Sequence, residues 1–471
     1  HLPRSRYQVI LNILGMLSYT RSHRWSCLAG LWAIYLKTCG LSSRAFDALH
    51  ATGMIMSIKW TTERMDKISD IAMVEVVKII REQAFVATYD NVNIPMRVFS
   101  QRSDKNHHFY SGCSGMIWVL PKDAKLTPDM NADYQKQRRE GAKEPFSLEK
   151  MLAGQLPRQA EGDKRIEART KDRILRFLLN SPPLINYEHR DDPVLSPPPP
   201  VELLPSGPDN ITHQFILQTA DIEEASYEGN LKVLQEWLHE REKLSQERLI
   251  AFIGDQLTVD RLRGLIKFRH EDKNSDERLD WILPVFGWLH LLFALAASIL
   301  DQFCGMSAGP SLQRAFDLLN RKGLQKTQAK GPHWHHLDEA LWHVGEGLIL
   351  ACWIQVAGVD KLDELTMKTP EELALLAEEI YDQFASRAAL EKMARKKDNK
   401  DEVKFRTVMF IFDVLLYFDL REVIKSGDVG RMEDLLPDLL LRFAGGGNPK
   451  YKQEVMELIQ ALQKELTPEM R

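Results

Sequence analysis

The period of the apolar residues changes from helical to strand-like at residue 83, and this change limits the fold more than any other feature of the chain. Residues 7–83 repeat apolar side chains at helical spacing, which predicts three or four helices in an N-terminal helical domain, residues 1–83. Three β-rich runs follow, at 85–91, 96–99 and 110–120. They predict a three-stranded meander that forms the first part of an α/β core, residues 84–121.

The rest of the chain returns to the core and then becomes helical. Residues 122–221 are expected to form an inserted charged arm that ends in an exposed Pro-rich linker, 182–208, which holds nine of the 22 prolines. A helix at 222–244 and β-rich runs at 249–254 and 281–286 predict the second part of the core, residues 222–300. Residues 301–471 have helical periodicity, so we predict a mixed α/β sheet core with a large helical C-terminal half.

The segment 281–300 has the length of a membrane span and no charged residue. Pro284 and Gly287 interrupt its first half, and Asp280 and Asp301 lie directly beside it. We therefore expect a buried strand, a turn and a buried helix from about His290, and no membrane partner.

Charge and cysteine content exclude several classes of protein. The chain has 471 residues with 62 Lys plus Arg against 66 Asp plus Glu, so a histone-like or ribosomal protein is excluded by its net charge of -4. Five scattered cysteines without a C-x-x-C pair argue against a disulfide framework or a Cys-rich zinc module, and favour an intracellular protein. Because the sequence begins with His1, we expect a fragment of a longer chain.

Two aspartates each follow an apolar β-rich run: Asp90 in AFVATYDN and Asp255 in LIAFIGDQ. If the two strands are neighbours, the carboxylates meet at one edge of the sheet. Paired carboxylates bind Mg²⁺ or Mn²⁺ and suit phosphodiester chemistry. The alternative is structural, with Asp90-Asn91 as a turn and Asp255 as a turn residue or helix N-cap.

A third acid would come from the helical half, where HHLDEALWHVGEGLI places His336, Glu339, His343 and Glu346 along one helical face. Glu346 is the first candidate for the third catalytic acid and metal ligand, and Glu339 the second. A solvent-facing polar stripe is the alternative. A di-iron site usually takes such motifs from two helices, and the chain has one.

The inserted arm is the most basic part of the chain. Its basic residues are Lys136, Arg138, Arg139, Lys164, Arg165, Arg169, Lys171, Arg173 and Arg176. Acidic residues interleave with the second group, which favours a solvated helix face over phosphate binding. Phosphate-loop, serine-hydrolase, zincin and dinucleotide motifs are absent, so no small-molecule cofactor is expected.

Several blocks resemble DUF6589, a domain-of-unknown-function family from mushroom-forming fungi. They are TYDNVNI, IEEASYEGNLKVL, GDQLTVDRL, PVFGWLH, HLDEALWHVGEGLI, KSGDVGRMEDLLP and FAGGGNPKYKQEV. The family looks similar to transposases with a ribonuclease-H-like core and a helical insertion before the third acid.

That resemblance implies a metal-dependent DNA strand-transfer or cleavage enzyme located in the nucleus. Asp90 and Asp255 would then be the first two acids and Glu346 the third, with Mg²⁺ or Mn²⁺ as cofactor and DNA as partner. No zinc finger or helix-turn-helix signature is present for recognising DNA ends. A catalytically inactive, domesticated interaction scaffold is the alternative.

Overall fold

Four helices form from the first 83 residues, as their apolar spacing predicts. The computed structural model describes residues 6–25, 27–96, 108–121, 124, 128–141, 143–156, 159–224, 226–238, 249–305, 311–320, 334–395, 401–468 and 470–471. The first helices are α1 (Arg6–Arg21), α2 (Cys27–Thr38), α3 (Ser43–Ala51) and α4 (Ile58–Glu82). Phe46 and Ile55 centre a small core of their own, whereas Val76 and Ile80 of α4 pack into the core beneath the sheet.

A five-stranded mixed sheet follows, with strand order β3-β2-β1-β4-β5. The strands are β1 (Phe85–Met96), β2 (His108–Val119), β3 (Gln214–Ile216), β4 (Ile250–Gly254) and β5 (Ile282–Phe286). β2 runs antiparallel to both β1 and β3, whereas β1, β4 and β5 are parallel to one another. The predicted mixed α/β class is therefore confirmed.

The sheet differs from the predicted meander in two places. β1 is one continuous strand that reaches Met96, where a separate strand at 96–99 was predicted, and residues 97–99 lie outside the described part of the chain. Pro95 made the sequence look interrupted. However, β4 pairs only with residues 86–88 of β1, so the edge of β1 that faces β4 is free at Pro95. No backbone N–H donor is needed on that edge. β3 has three residues and lies inside the region 122–221 that was expected to be an inserted arm.

Thirteen further helices are described. They are α5 (Pro128–Gly141), α6 (Leu148–Leu152), α7 (Gln159–Leu179), α8 (Tyr227–Leu238), α9 (Gln256–Phe268), α10 (Trp288–Phe303), α11 (Leu312–Asn320), α12 (Trp334–Ala357), α13 (Pro370–Ile380), α14 (Arg387–Ala394), α15 (Glu402–Ser426), α16 (Val429–Gly445) and α17 (Pro449–Gln460). α8 and α9 pack beside the sheet, and α7 and α10 to α17 share the largest apolar core. Of the predicted helix 222–244, residues 239–244 lie outside the described ranges.

The Pro-rich segment 182–208 is irregular, as predicted, apart from single helical turns at Pro193–Leu195 and from Pro208. It is not fully exposed, because Leu184, Tyr187 and Leu195 are buried in the helical core. Its far end is held by the Asp428 carboxylate, which accepts hydrogen bonds from the backbone N–H groups of Val201 and Glu202 at 3.1 and 2.9 Å. The segment is therefore a strap across the helical half.

The apolar stretch 281–300 divides into β5 and α10, as its Pro and Gly residues predict, and so does not form one span. In the described part of the chain one helix, α12, is long and apolar enough to cross a membrane by length and composition, and a third of that window is buried. α12 carries the buried Asp338, which pairs with Arg421 of α15 at 2.8 Å. This buried pairing is typical of a core helix in a globular protein.

The basic residues of α7 have structural partners. Arg165 forms two hydrogen bonds with Asp434, Lys171 binds Glu378 at 2.6 Å, and Arg173 pairs with Glu422. The interpretation of this helix as a polyanion-binding face loses its support, because these cations are already neutralised within the helical half.

Candidate active site

Asp90 lies on β1, and Asp255 directly follows β4, the neighbouring parallel strand. Thr88 of β1 faces Ile253 of β4, which fixes the pairing offset between the strands (253 − 88 = 165). The same offset separates the two aspartates (255 − 90 = 165). Each aspartate thus lies two residues beyond the last paired residues of neighbouring strands, which are about 5 Å apart where they pair.

The structural alternative drawn from the sequence is wrong for Asp90 and right for Asp255. Asp90 is not in a turn, because β1 continues through it and pairs it with Ser114 of β2. Its Oδ1 accepts a hydrogen bond from the Asn91 N–H at 2.8 Å. Asp255 is the N-cap of α9, as that alternative proposed, and its Oδ1 accepts from the Thr258 N–H at 2.7 Å.

A third carboxylate, Glu224, lies close to both aspartates and was not singled out from the sequence. It is buried in the loop before α8, where the Thr258 hydroxyl donates to its Oε1 at 3.0 Å and the Cys113 thiol lies 3.6 Å from its Oε2. Its backbone N–H donates to Asn91 at 3.3 Å. One sequence signal could have indicated it: the pair Glu223-Glu224 directly precedes a predicted helix. The pair lies in IEEASYEGNLKVL, one of the blocks that resemble DUF6589.

Buried polar groups fix this loop against the sheet. Tyr89 donates to the Asn230 side chain at 2.8 Å, and the Asn230 amide donates to the backbone carbonyls of Glu224 and Ser226. A Cβ atom on Gly229 would lie 1.9 Å from the Glu223 carbonyl oxygen. The loop can therefore approach α8 this closely only because residue 229 is glycine.

The electrostatics of the three acids are coupled. The pKa of Glu224 is raised to about 7: burial raises it most, the charges of Asp255 and Asp90 add to the rise, and the hydrogen bonds from Thr258 and Cys113 oppose it. Burial and Glu224 together also raise the pKa of the Cys113 thiol. The site therefore holds a carboxyl group that exchanges its proton near neutral pH beside two further carboxylates.

The polar stripe on α12 is not part of this cluster in the described structure. Glu339 is exposed and lies 3.7 Å from His343, and Glu346 is half-buried beside Gly345, which packs against Phe418 of α15. The carboxylate of α12 that is buried is Asp338, which accepts from Tyr417 at 2.7 Å. No hydrogen bond or ion pair links Glu339 or Glu346 to Asp90, Asp255 or Glu224 within the described ranges.

The donor set of the cluster fits a hard divalent cation in its chemistry, since carboxylate oxygens are the ligands that Mg²⁺ and Mn²⁺ prefer. Asp90 and Asp255 each use Oδ1 for a backbone hydrogen bond, which leaves Oδ2 for another ligand. Among the residues that the structure describes, no three or more His, Cys, Asp or Glu side chains are already arranged as a metal site. Metal binding here would therefore require side-chain rotation, above all of Glu224.

Comparison with known proteins gives a family. A family model described as a family of unknown function, DUF6589, matches residues 143–471, which is well over half of the chain. The chain belongs to DUF6589. No curated protein and no solved structure matches it.

The DUF6589 match covers β3 to β5 and the helical half, and so contains Glu224, Asp255 and Glu346. Asp90 lies before the matched region, on β1. The cluster therefore joins one residue from outside the matched region to two from within it.

Proposed function

We propose that this DUF6589 protein is a transposase-like enzyme that cleaves or transfers DNA phosphodiester bonds with Mg²⁺ or Mn²⁺. The observation that carries the proposal is the parallel pairing of β1 and β4, which supports Asp90 and Asp255 acting together at one end of β4. A nuclear location follows from that function.

The arrangement of the sheet supports a ribonuclease-H-like core. The order is β3-β2-β1-β4-β5, β2 is its one antiparallel strand, and α8 and α9 supply the connections between β3, β4 and β5. In such a sheet the central parallel strands β1 and β4 deliver side chains to one edge.

The roles of the residues follow from their surroundings. A bound divalent cation would stabilise the charge that develops on the attacked phosphate. Asp90 and Asp255 would hold it with their Oδ2 atoms. Glu224, protonated in part at neutral pH, would lose its proton when a cation neutralises the cluster, and would then supply the third carboxylate.

This assignment changes the preferred third acid. Glu224 lies near both aspartates, whereas Glu346 and Glu339 lie on α12 in the helical core. Glu346 and then Glu339 remain the candidates if α12 moves toward the sheet on DNA binding.

A cleavage assay with the full chain and a fluorescent DNA duplex tests the proposal. We expect Mn²⁺-dependent or Mg²⁺-dependent products that Asp90→Asn and Asp255→Asn abolish, both substitutions keeping the backbone hydrogen bonds. Comparison of the cleavage rates of Glu224→Gln and Glu346→Gln decides which residue is the third acid, because the substitution that abolishes cleavage identifies it. Asp209→Asn, at an exposed residue, is the matched control and should cleave like the unmodified protein. Metal-dependent cleavage that survives Asp90→Asn and Asp255→Asn would refute the site.

The second candidate is a non-catalytic interaction scaffold, favoured by one observation. Each acid already has a structural partner: Asp255 caps α9, and both Glu224 oxygens face donors. In that case none of the variants would alter a cleavage rate, because the unmodified protein would not cleave.

A further inference from the structure

A groove of about 780 Å³ lies along α9, between α5 on one side and α17 on the other. It is separate from the acidic cluster, and its first lining residue on α9 is Asp260, five positions after Asp255. Tyr227, three positions after Glu224, lines the same groove. With 13 residues, α9 is about 20 Å long, so the groove extends several nucleotide lengths from the acids.

Unpaired cations line this groove. Arg139 of α5 and Lys267 of α9 form no ion pair with any residue that the structure describes, and Arg138 of α5 forms no direct ion pair there but interacts with the charge of Glu465. By contrast, Arg263 is bound to Glu454 at 2.5 Å and Arg278 to Asp280 at 3.0 Å. Asp260 and Glu457 also line the groove, and the net charge of its lining is still positive.

Two aromatic rings lie beside Lys267: Tyr227 lines the groove, and Phe268 contacts Tyr227 from outside the lining. Phe268 is 71% exposed and its ring contacts that of Tyr227 edge-on at 5.2 Å. The Arg261 guanidinium lies 4.9 Å from the centre of the Tyr227 ring on its face.

The combination of cations and rings identifies the chemistry of that partner. Phosphates bind the cations, and unpaired bases stack on exposed aromatic and guanidinium planes. A duplex hides its base faces, and an acidic peptide offers no planar bases.

We propose that this groove binds single-stranded nucleic acid and leads it toward Asp90, Asp255 and Glu224. The position of the strand rests on the proposed function, whereas the binding itself does not. Arg138 and Arg139 on the α5 side and Lys267 on α9 hold the backbone, and a base stacks on Phe268 beside Lys267.

Fluorescence anisotropy with a labelled oligothymidine and EDTA tests the groove in the full chain. The variant R138Q/R139Q/K267Q should bind at least about tenfold more weakly, and the slope of log K against log salt should fall by about 2. Phe268→Ala should weaken binding by about tenfold. The matched controls are K361Q/K392Q/K425Q, which removes three exposed lysines elsewhere, and Met367→Ala, at another exposed apolar residue. Both controls should bind like the unmodified protein.

Any of four results would contradict binding of single-stranded nucleic acid in this groove. Two concern the variants: unchanged affinity of R138Q/R139Q/K267Q for oligothymidine, or an equal loss of affinity in the lysine control. The other two are tighter binding of a duplex than of a single strand, and competition by polyglutamate equal to that by an unlabelled oligothymidine. Asp90→Asn separates the two proposals. It should bind oligothymidine at least as well as the unmodified protein in EDTA. Absence of metal-dependent cleavage together with intact groove binding would refute only the proposed function.

Discussion

Thr258 joins Glu224 to the N-terminus of α9: its hydroxyl donates to Glu224 at 3.0 Å, while its backbone N–H donates to Asp255 at 2.7 Å. One residue therefore fixes the distance between two of the three acids. Because Glu224 is buried there, its protonation is coupled to folding.

The first prediction concerns this coupling. Burial raises the pKa of Glu224 from 4.5 to about 7, so its contribution to stability is complete below about pH 4.5 and is lost as the pH rises through 7. Glu224→Gln, which stays neutral, should match the unmodified protein near pH 4.5 and exceed its free energy of unfolding at pH 8 by up to about 3 kcal/mol. Urea unfolding across this range measures the effect. Glu223→Gln, at the exposed neighbour, should keep the original pH dependence, and parallel curves for Glu224→Gln would contradict the prediction.

A second prediction concerns the metal. Mn²⁺ should raise the melting temperature. At a hundredfold excess of Mn²⁺ over Kd, the free energy of unfolding should rise by about 2.7 kcal/mol. Asp90→Asn should abolish this rise and leave the metal-free protein as stable or slightly more stable, because one of several crowded charges is removed. Asp209→Asn should retain the full rise. A calorimetric titration of the unmodified protein that shows neither heat nor stabilisation would remove the metal hypothesis.

Two helical glycines provide a matched test of the loop that carries Glu224. A methyl group on Gly229 would overlap the Glu223 carbonyl, so Gly229→Ala should destabilise the protein by about 1–3 kcal/mol and displace Glu224. A Cβ atom on Gly347 of α12 would meet no atom within 4 Å, so Gly347→Ala should stabilise by up to about 1 kcal/mol. Thermal unfolding measures both, and equal effects of the two substitutions would show that the loop is not packed as described.

A fourth prediction compares the buried Asp338 with Glu346, the third acid first predicted from the sequence, on the same helix. Asp338→Asn removes the charge that neutralises Arg421, and should cost about 3 kcal/mol of stability. Glu346→Gln, at a half-buried residue, should change stability by less than about 0.5 kcal/mol. Denaturant unfolding of the two variants measures this difference. A large loss in Glu346→Gln would show that this side chain has a structural partner.

The sequence was enough to predict that the strands before Asp90 and Asp255 belong to one sheet, because apolar β-rich runs locate buried strands. It did not reveal Glu224, since a loop residue is positioned by tertiary contacts such as those of Asn230 and Thr258. On α12 the helical period selected His336, Glu339, His343 and Glu346. The carboxylate that is buried, Asp338, is adjacent in sequence and was distinguished only by its partners on α15.

The last prediction concerns the strap formed by residues 182–208. Burial alone would raise the pKa of Asp428, but backbone N–H groups of Glu202, Val201 and Arg431 outweigh it and lower that pKa, so the carboxylate is charged and holds the strap. Asp428→Ala should therefore speed limited proteolysis between residues 196 and 208, where cleavage of the unmodified protein should be slow. Asp401→Ala serves as the control. It removes the N-cap of α15, whose carboxylate accepts a hydrogen bond from the Lys404 N–H. Both substitutions lose a helix cap, worth about 1 kcal/mol, but only Asp428→Ala frees the strap. Equal cleavage rates within the strap in the two variants would show that Asp428 acts as a cap alone.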